Sequence, residues 1–322
     1  MLKSMNTPTN LADAVVYFSD PDRALDFLVE LRWPQGVVCP RCGVDQPSFL
    51  KSRRIWKCKG CRKQFSIKVG TIFEDSPLGL DKWLPALWLI ANAKNGVSSY
   101  EMARALSVTQ KTAWFMLGRI RAAMTFAGGD RFDGEVEIDE SFLGGKYENM
   151  HLSKKARLGP GHASMNKVPV LGILERPKGK HGVSRIRTTV VGRDTTVHQF
   201  HAHVERAVKR GTVVYTDQHP GYGVLASAYT RRIINHAREY ARGRVHTNGI
   251  ENFWSLLKRT IKGTYVSIDP FHVFRYVDEQ VFRFNNRRGS DGERFVAMLA
   301  ALVGKRLTYK QLTGADLTLA TT

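Results

Sequence analysis

Three carboxylates lie at positions where the predicted elements of one domain could bring them together. Asp139 lies within a predicted strand, Asp217 ends a nearly continuous apolar strand, and Glu251 lies near the start of a predicted helix. Carboxylate oxygens are hard ligands that select Mg²⁺ or Mn²⁺. Two such ions about 4 Å apart can activate an attacking oxygen and stabilise a leaving oxygen in phosphoryl transfer. The pattern therefore predicts a two-metal site for phosphodiester chemistry, with three unrelated surface acids as the alternative.

The elements that carry these acids follow the order of an RNase H-like fold. A strand has a period of two, which places Glu137 and Asp139 on one face of the first strand and Glu140 on the other. An acid at the end of a buried strand lies at the carboxyl edge of the sheet, where active sites are common. Residue patterns predict strands at 136–142, 168–174, 186–191, 213–217 and 231–235, a helix from Thr195 or Thr196 to about Arg210, and the Glu251 helix from near Gly249.

The predicted Glu251 helix carries further polar side chains on or near the same face. Helical spacing groups Asn248, Glu251, Ser255, Lys258 and Lys262. One acid and two cations on one face could serve both a metal and a DNA backbone.

All four cysteines of the chain lie in two C-x-x-C pairs, Cys39 with Cys42 and Cys58 with Cys61, separated by fifteen residues. Each pair can place two thiolates on one tetrahedral ion, and a short hairpin fits between them. Two disulfides or four unrelated thiols are the alternatives. The spacing predicts a structural zinc ribbon.

The predicted ribbon is strongly basic. Between residues 51 and 63 there are seven Lys and Arg and no acid. Such a surface suits phosphate contacts, and we assign Arg53, Arg54 and Lys57 to DNA binding. The alternative is that the zinc ion only stabilises a small domain, and this role is compatible with DNA binding.

The segment after the ribbon has helical periodicity. Two helices precede a turn at 107–109, the second capped by Ser98 with Glu101, and a third runs from Gln110 to about Ala123. This is a helix-turn-helix-like arrangement that would place Gln110 and Lys111 near a DNA groove. An ordinary helical bundle between two domains is the alternative.

Charge and length limit the class of protein. The 322 residues carry a formal net charge of +20 and are 43% hydrophobic, which fits a folded chain that meets a polyanion. Nucleic acid is the first candidate and an anionic membrane surface the second. No apolar stretch approaches the length of a membrane span and no signal core is found at the N terminus, so we expect a cytoplasmic protein.

The chain as a whole is predicted to be an α+β multidomain protein. Its predicted segments are an N-terminal helix and tail at 1–35, the zinc ribbon at 36–75, the helix-turn-helix-like segment at 76–127, the RNase H-like α/β core at 134–270 and C-terminal helices at 271–322.

Several motifs together resemble one family. The sequences LRWP, CPRCG, WKCKGCRKQFS, VEIDESFLGGK, VVYTDQHPGY, HTNGIENFWSLLKR and FRFNNRR extend over almost the whole chain. They are similar to the zinc-ribbon DDE transposases of bacterial insertion sequences, the ISXO-like family. The resemblance implies Asp139, Asp217 and Glu251 as the metal-binding acids and Lys258 as a DNA contact. Asn248 competes with or assists Glu251, and His246 either is structural or helps to shape the metal site.

A stretch rich in Gly and Lys follows the first core strand. From His151 to Arg193 there are ten Lys and Arg and a single acid. A solvated loop is one interpretation; we favour a flap that binds DNA through Lys154, Lys155 and Arg157.

The resemblance implies binding to the terminal inverted repeats of an element, followed by metal-dependent cleavage and strand transfer. Double-stranded DNA is then the partner, and two ends handled together imply a homodimer or higher assembly. A catalytically silent regulator, or a nuclease without joining activity, are the alternatives.

Overall fold

The structure is a computed structural model that describes residues 7–125, 129–145, 152–158, 167–179, 182–192, 196–234 and 243–315. The chain divides into two compact units. One combines the chain up to Met124 with the segment from Arg288 onward, and the other extends from Thr125 to Arg287.

Apart from the helices at 11–19 and 152–158 and the short strand at 64–65, which were not predicted, the described helices and strands follow the predicted order along the chain. In chain order they are α1 (Leu11–Ser19), α2 (Pro21–Arg32), β1 (Ser48–Leu50), β2 (Ile55–Lys57), β3 (Gln64–Phe65), α3 (Leu80–Asn92), α4 (Ser99–Leu106), α5 (Gln110–Met124), β4 (Val136–Leu143), α6 (Leu152–Leu158), β5 (Val168–Glu175), β6 (Arg185–Val190), α7 (Val197–Ala207), β7 (Val213–Thr216), β8 (Thr230–Ile233), α8 (Asn248–Thr260), α9 (Val273–Asn285), α10 (Asp291–Ala300) and α11 (Tyr309–Thr313). No described helix is both long and apolar enough to cross a membrane.

In the first unit, local sequence signals set the helix starts. Asp20 caps α2 by accepting hydrogen bonds from the backbone N–H groups of Asp22 and Arg23, as predicted. Pro21 occupies the first helical position, also as predicted. The preceding helix α1 was not predicted; Asn10 caps it. Phe18 of α1 packs on Phe27 of α2 and on Phe295 of α10, so part of the C-terminal segment completes this core.

The second unit is built on a five-stranded mixed sheet in the order β6-β5-β4-β7-β8. The pairs β4–β5 and β5–β6 are antiparallel, whereas β4–β7 and β7–β8 are parallel. The predicted fold class, an α+β protein with a mixed sheet in its core, is therefore confirmed.

Helices cover the two faces of this sheet. On one face Val136 and Ile138 of β4 pack with Phe200 and Val204 of α7. On the other face, apolar side chains of α8 and α9 form a second buried cluster with β5 and β6. Helix α9 thus belongs to the sheet unit, whereas α10 and α11 belong to the first unit. This grouping differs from the predicted boundary at residue 271, because the apolar face of α9 closes the core beneath α8.

Candidate functional site

The four cysteines form a compact cluster in the first unit. Their Sγ atoms all lie within 4.8 Å of one another, with 3.5 Å between Cys42 and Cys58 and 3.9 Å between Cys39 and Cys61. Tetrahedral zinc with Zn–S bonds of about 2.3 Å requires sulfurs about 3.8 Å apart. The backbone N–H groups of Cys61 and Gly60 help to lower the pKa of the Cys58 thiol to about 7, which favours the thiolate. The cluster fits a structural zinc ion.

The hairpin between the cysteine pairs presents the predicted basic surface to solvent. Arg53, Arg54 and Lys57 are exposed. Arg53 donates to Gln64 at 3.0 Å, and Arg54 pairs with Asp22 of α2 at 2.6 Å. Arg54 therefore also ties the ribbon to α2, a role that the sequence did not indicate.

In the predicted helix-turn-helix segment, a short turn separates α4 from α5. Ser98 caps α4 by accepting from the backbone N–H of Glu101, and Ser107 at φ 52° ends the helix. Most of the C-terminal half of α5 is buried, and its N-terminal turn is more exposed. Lys111 is exposed there, and Gln110 donates to the Ser99 hydroxyl at 2.9 Å.

In the sheet unit, Asp139 and Asp217 lie at the same level of neighbouring strands. The parallel register pairs Glu137 with Tyr215, and extending it by two residues places Asp139 opposite Asp217. The pairing between β4 and β7 ends at Glu137 and Tyr215, so the two acids lie where these two strands separate. The backbone N–H of His219 donates to Asp217 at 2.9 Å and fixes this carboxylate. The two acids thus border one cleft at the carboxyl edge of the parallel strands.

Helix α8 brings Glu251 to the face of the sheet that carries Asp139. Trp254 of α8 donates its indole N–H to Asp139 at 3.1 Å, and Thr247 donates its hydroxyl to Glu251 at 2.7 Å. Gly172 on β5 admits the Trp254 ring, because a Cβ there would lie 2.6 Å from it. The Trp254 contact therefore sets the position of the Glu251 helix against β4.

The electrostatics of this cleft suit a divalent cation. Burial raises the pKa of the Asp139 carboxyl to about 6, and the negative charges of Asp217, Glu140 and Glu251 act in the same direction. Among the described residues, only the cysteines have ligand atoms all within 4.8 Å of one another. Asp139, Asp217 and Glu251 do not form such a group among the described residues. Their oxygen donors and excess negative charge fit Mg²⁺ or Mn²⁺.

The raised pKa of Asp139 predicts a specific dependence of stability on pH. A carboxyl whose folded-state pKa is about 6, against an ordinary 3.8, contributes stability at low pH that is lost as the pH rises through 6. In EDTA at pH 7.5, Asp139→Asn should therefore raise the free energy of unfolding by up to about 3 kcal/mol. At pH 4 the two proteins should be similar. Urea unfolding at both pH values checks this; equal stability at pH 7.5 would contradict it.

A buried ion pair anchors the start of α8. Glu137 is 1% exposed, accepts from Arg176 at 2.8 Å and from the backbone N–H of Ile250 at 2.9 Å. Gly249 allows this approach, because a Cβ there would meet the Glu137 carboxylate at 2.9 Å. Arg176 also donates to the carbonyl of His246 at 2.6 Å. The strand that carries Asp139 is thus locked to the helix that carries Glu251.

We expect Glu137→Gln to destabilise the sheet unit by about 3 kcal/mol, because it removes the closer and more deeply buried of the two charged partners of Arg176 and leaves only Glu135, at 3.7 Å. The matched control is Glu205→Gln, which removes a more exposed pair with Arg210 and should leave the free energy of unfolding close to that of the wild type. Chemical denaturation of both variants measures the difference. Similar small losses in both would show that the Glu137 pair is not an anchor.

The structure places the remaining predicted site residues as follows. His246 lies in the anchor, with its Nδ1 3.0 Å from Arg176 and 3.6 Å from Glu137. Asn248, Lys258 and Lys262 are exposed along α8 and the π-helical turn that follows it. Lys155 lies half-buried on α6; the side chains of Lys154 and Arg157 lie outside the described residues.

Sequence reasoning missed Arg176, Trp254 and Thr247 as supports of the acids. Trp254 had a signal, since it lies three residues after Glu251 and on the apolar side of α8. Thr247 had one too, because it stands at the cap of that helix. Arg176 had none, because its partners lie far along the chain.

Comparisons with known proteins agree with this geometry. Residues 19–64 match the family model of a transposase zinc-ribbon domain, and residues 131–285 match that of an ISXO2-like transposase domain. A relative from Halobacterium salinarum, described as an uncharacterized protein in transposable element ISH50, is 27% identical over 254 residues, which cover 75% of this chain and 83% of the relative. The chain thus contains a transposase zinc-ribbon domain followed by an ISXO2-like transposase domain.

Proposed function

We propose that this protein binds the terminal inverted repeats of an insertion sequence and carries out metal-dependent DNA cleavage and strand transfer. The observation that supports this most strongly is the juxtaposition of three acids on the RNase H-like sheet. Asp139 and Asp217 lie at one level of neighbouring strands, and α8 carries Glu251 against the same face as Asp139. Three carboxylates repel a DNA phosphate unless bound cations offset their negative charge.

The proposed chemistry assigns each acid a part. Asp139, Asp217 and Glu251 would hold two divalent ions, which when bound supply Lewis-acid activation of the attacking oxygen and stabilise the leaving oxygen. Water attacks the phosphodiester at each end, and the 3′-hydroxyl that is released then attacks target DNA. Asn248 and His246 are candidates for support beside Glu251.

DNA binding is assigned to basic and polar side chains in both units. Described members of this set are Arg53, Arg54, Lys57, Gln110, Lys111, Lys155, Lys258 and Lys262, and the sequence adds Lys154 and Arg157. Phosphate contacts from such residues make affinity fall steeply with salt. Because two ends must be processed together, the active form is proposed to be a homodimer or a larger assembly.

Strand transfer on the element's own ends tests the proposal. The substrate is a duplex carrying the inverted repeats that flank the gene, with scrambled ends as the matched control, in Mg²⁺ or in EDTA. The expected result is joined product only with the native ends and Mg²⁺. Cleavage without joining would indicate a nuclease, and tight binding without cleavage would indicate a regulator; either result would contradict the proposal.

A further inference from the structure

Beside Asp139 and Asp217 the sheet unit contains a pocket with mostly apolar walls. Its volume is about 590 Å³, within the usual range of small-molecule sites. Both acids contribute to its lining, so it is continuous with the cleft of the proposed reaction. A ligand in this pocket would therefore lie next to a phosphate held at the acids.

The walls of the pocket come from three elements. Phe142 and Pro169 are cross-strand partners on β4 and β5, and Val197 and Phe200 lie on the first turns of α7. Phe142 is 61% exposed although it is a large apolar side chain. A single exposed aromatic residue needs no explanation, but this one forms part of the wall of a concave site beside an acid cluster. Its ring is available to stack on a flat ligand.

The polar groups of the pocket narrow the choice of ligand. Glu140 faces it from the same side of β4 as Phe142, and a carboxylate there accepts hydrogen bonds from exocyclic amino groups. Lys167 supplies a cation to the lining, which suits a neighbouring phosphate. A ligand with flat apolar faces, an amino group at its edge and an attached phosphate is a nucleotide.

A base inside a duplex is stacked on both faces and can reach such a pocket only by leaving the stack. We propose that this pocket binds one unstacked nucleobase of the DNA end, next to the phosphate that cations would hold at Asp139 and Asp217, with Phe142 stacked on the base. This inference rests on the proposed function, since it requires the DNA end to lie at the acids. It adds a base-binding subsite to the metal-binding acids.

Equilibrium binding in Ca²⁺, a cation that takes oxygen ligands as Mg²⁺ does, tests the subsite without requiring cleavage. Duplexes with the inverted repeats are altered at single positions around the scissile phosphate, either to a mismatch, which frees a base, or to an abasic nucleotide, which removes it. At one position the wild-type protein should bind the mismatch about tenfold more tightly than the abasic duplex, because stacking on Phe142 contributes to only one of them.

Phe142→Ala should reduce this ratio to within about twofold, and Phe142→Trp should retain it. Ile233→Ala is the matched control: Ile233 is 48% exposed on β8 of the same unit, and its variant should keep the tenfold ratio. A wild-type protein with no position that distinguishes the two duplexes would overturn the subsite, and so would an unchanged ratio in Phe142→Ala. A failure of strand transfer in the wild-type protein would instead contradict the proposed function, because this binding ratio does not depend on catalysis.

Discussion

Replacement of Asp217 by Asn should lower the rate of DNA cleavage by about a thousandfold or more while leaving binding of the DNA ends intact. An amide cannot supply the negative charge that holds a divalent cation, and a loss of about 4 kcal/mol of transition-state stabilisation corresponds to this factor. The fold should survive, because the N–H of His219 can still donate to the side-chain oxygen of the amide. Single-turnover cleavage and fluorescence anisotropy on the same end duplex measure the two effects.

The control for this variant is Glu205→Gln, which removes a carboxylate of the same unit that pairs with Arg210 on the surface. Its cleavage rate should stay within about twofold of wild type. If Asp217→Asn cleaves as fast as this control, the second acid is not part of the site. If binding is lost together with cleavage, Asp217 supports the fold or the DNA contact and not the chemistry.

Loss of one zinc ligand should have the largest effect on stability. The apparent free energy of zinc binding to small structural sites is about 10–16 kcal/mol, most of which is available to stabilise the fold. Cys58→Ser should abolish stoichiometric zinc, and amide exchange in β1, β2 and β3 should accelerate to that of an open chain. End binding should fall with it, since the basic hairpin would lose its shape.

Ser52→Ala provides the comparison, because Ser52 is exposed in the turn of the same hairpin and is no metal ligand. Zinc content by mass spectrometry and hydrogen exchange should be as in wild type. Protection in the sheet unit, from β4 to α9, should persist in both variants. Full zinc content in Cys58→Ser would show that the four cysteines do not form one site.

Most of the fold could be predicted because local signals agreed with it. The hairpin of the ribbon, the Ser98 cap of α4 and the Thr196 cap of α7 are short-range patterns, and the structure confirms each of them. The alternation of β4 also placed Glu137 and Asp139 on one face, and Trp254 and Ile250 contact them there. Such features depend on neighbours within a few residues, which sequence reasoning can weigh.

Long-range contacts explain what could not be predicted. The domain boundary was predicted at residue 271. In the structure α9 packs with α8 in the core of the sheet unit, whereas α10 packs in the first unit. Arg176 anchors the start of α8 through partners about 70 residues away, and no periodic pattern marks it. Arg54 was assigned to DNA from its charge, but its ion pair depends on Asp22, 32 residues earlier.

The position of bound metal tests the central claim most directly, which is that Asp139, Asp217 and Glu251 together hold the catalytic ions. The measurement is anomalous X-ray diffraction from crystals of the protein with its end DNA and Mn²⁺. We predict Mn²⁺ peaks in contact with oxygens of all three carboxylates and of the scissile phosphate. Peaks that lie elsewhere, or peaks that contact Asn248 and not Glu251, would contradict the account.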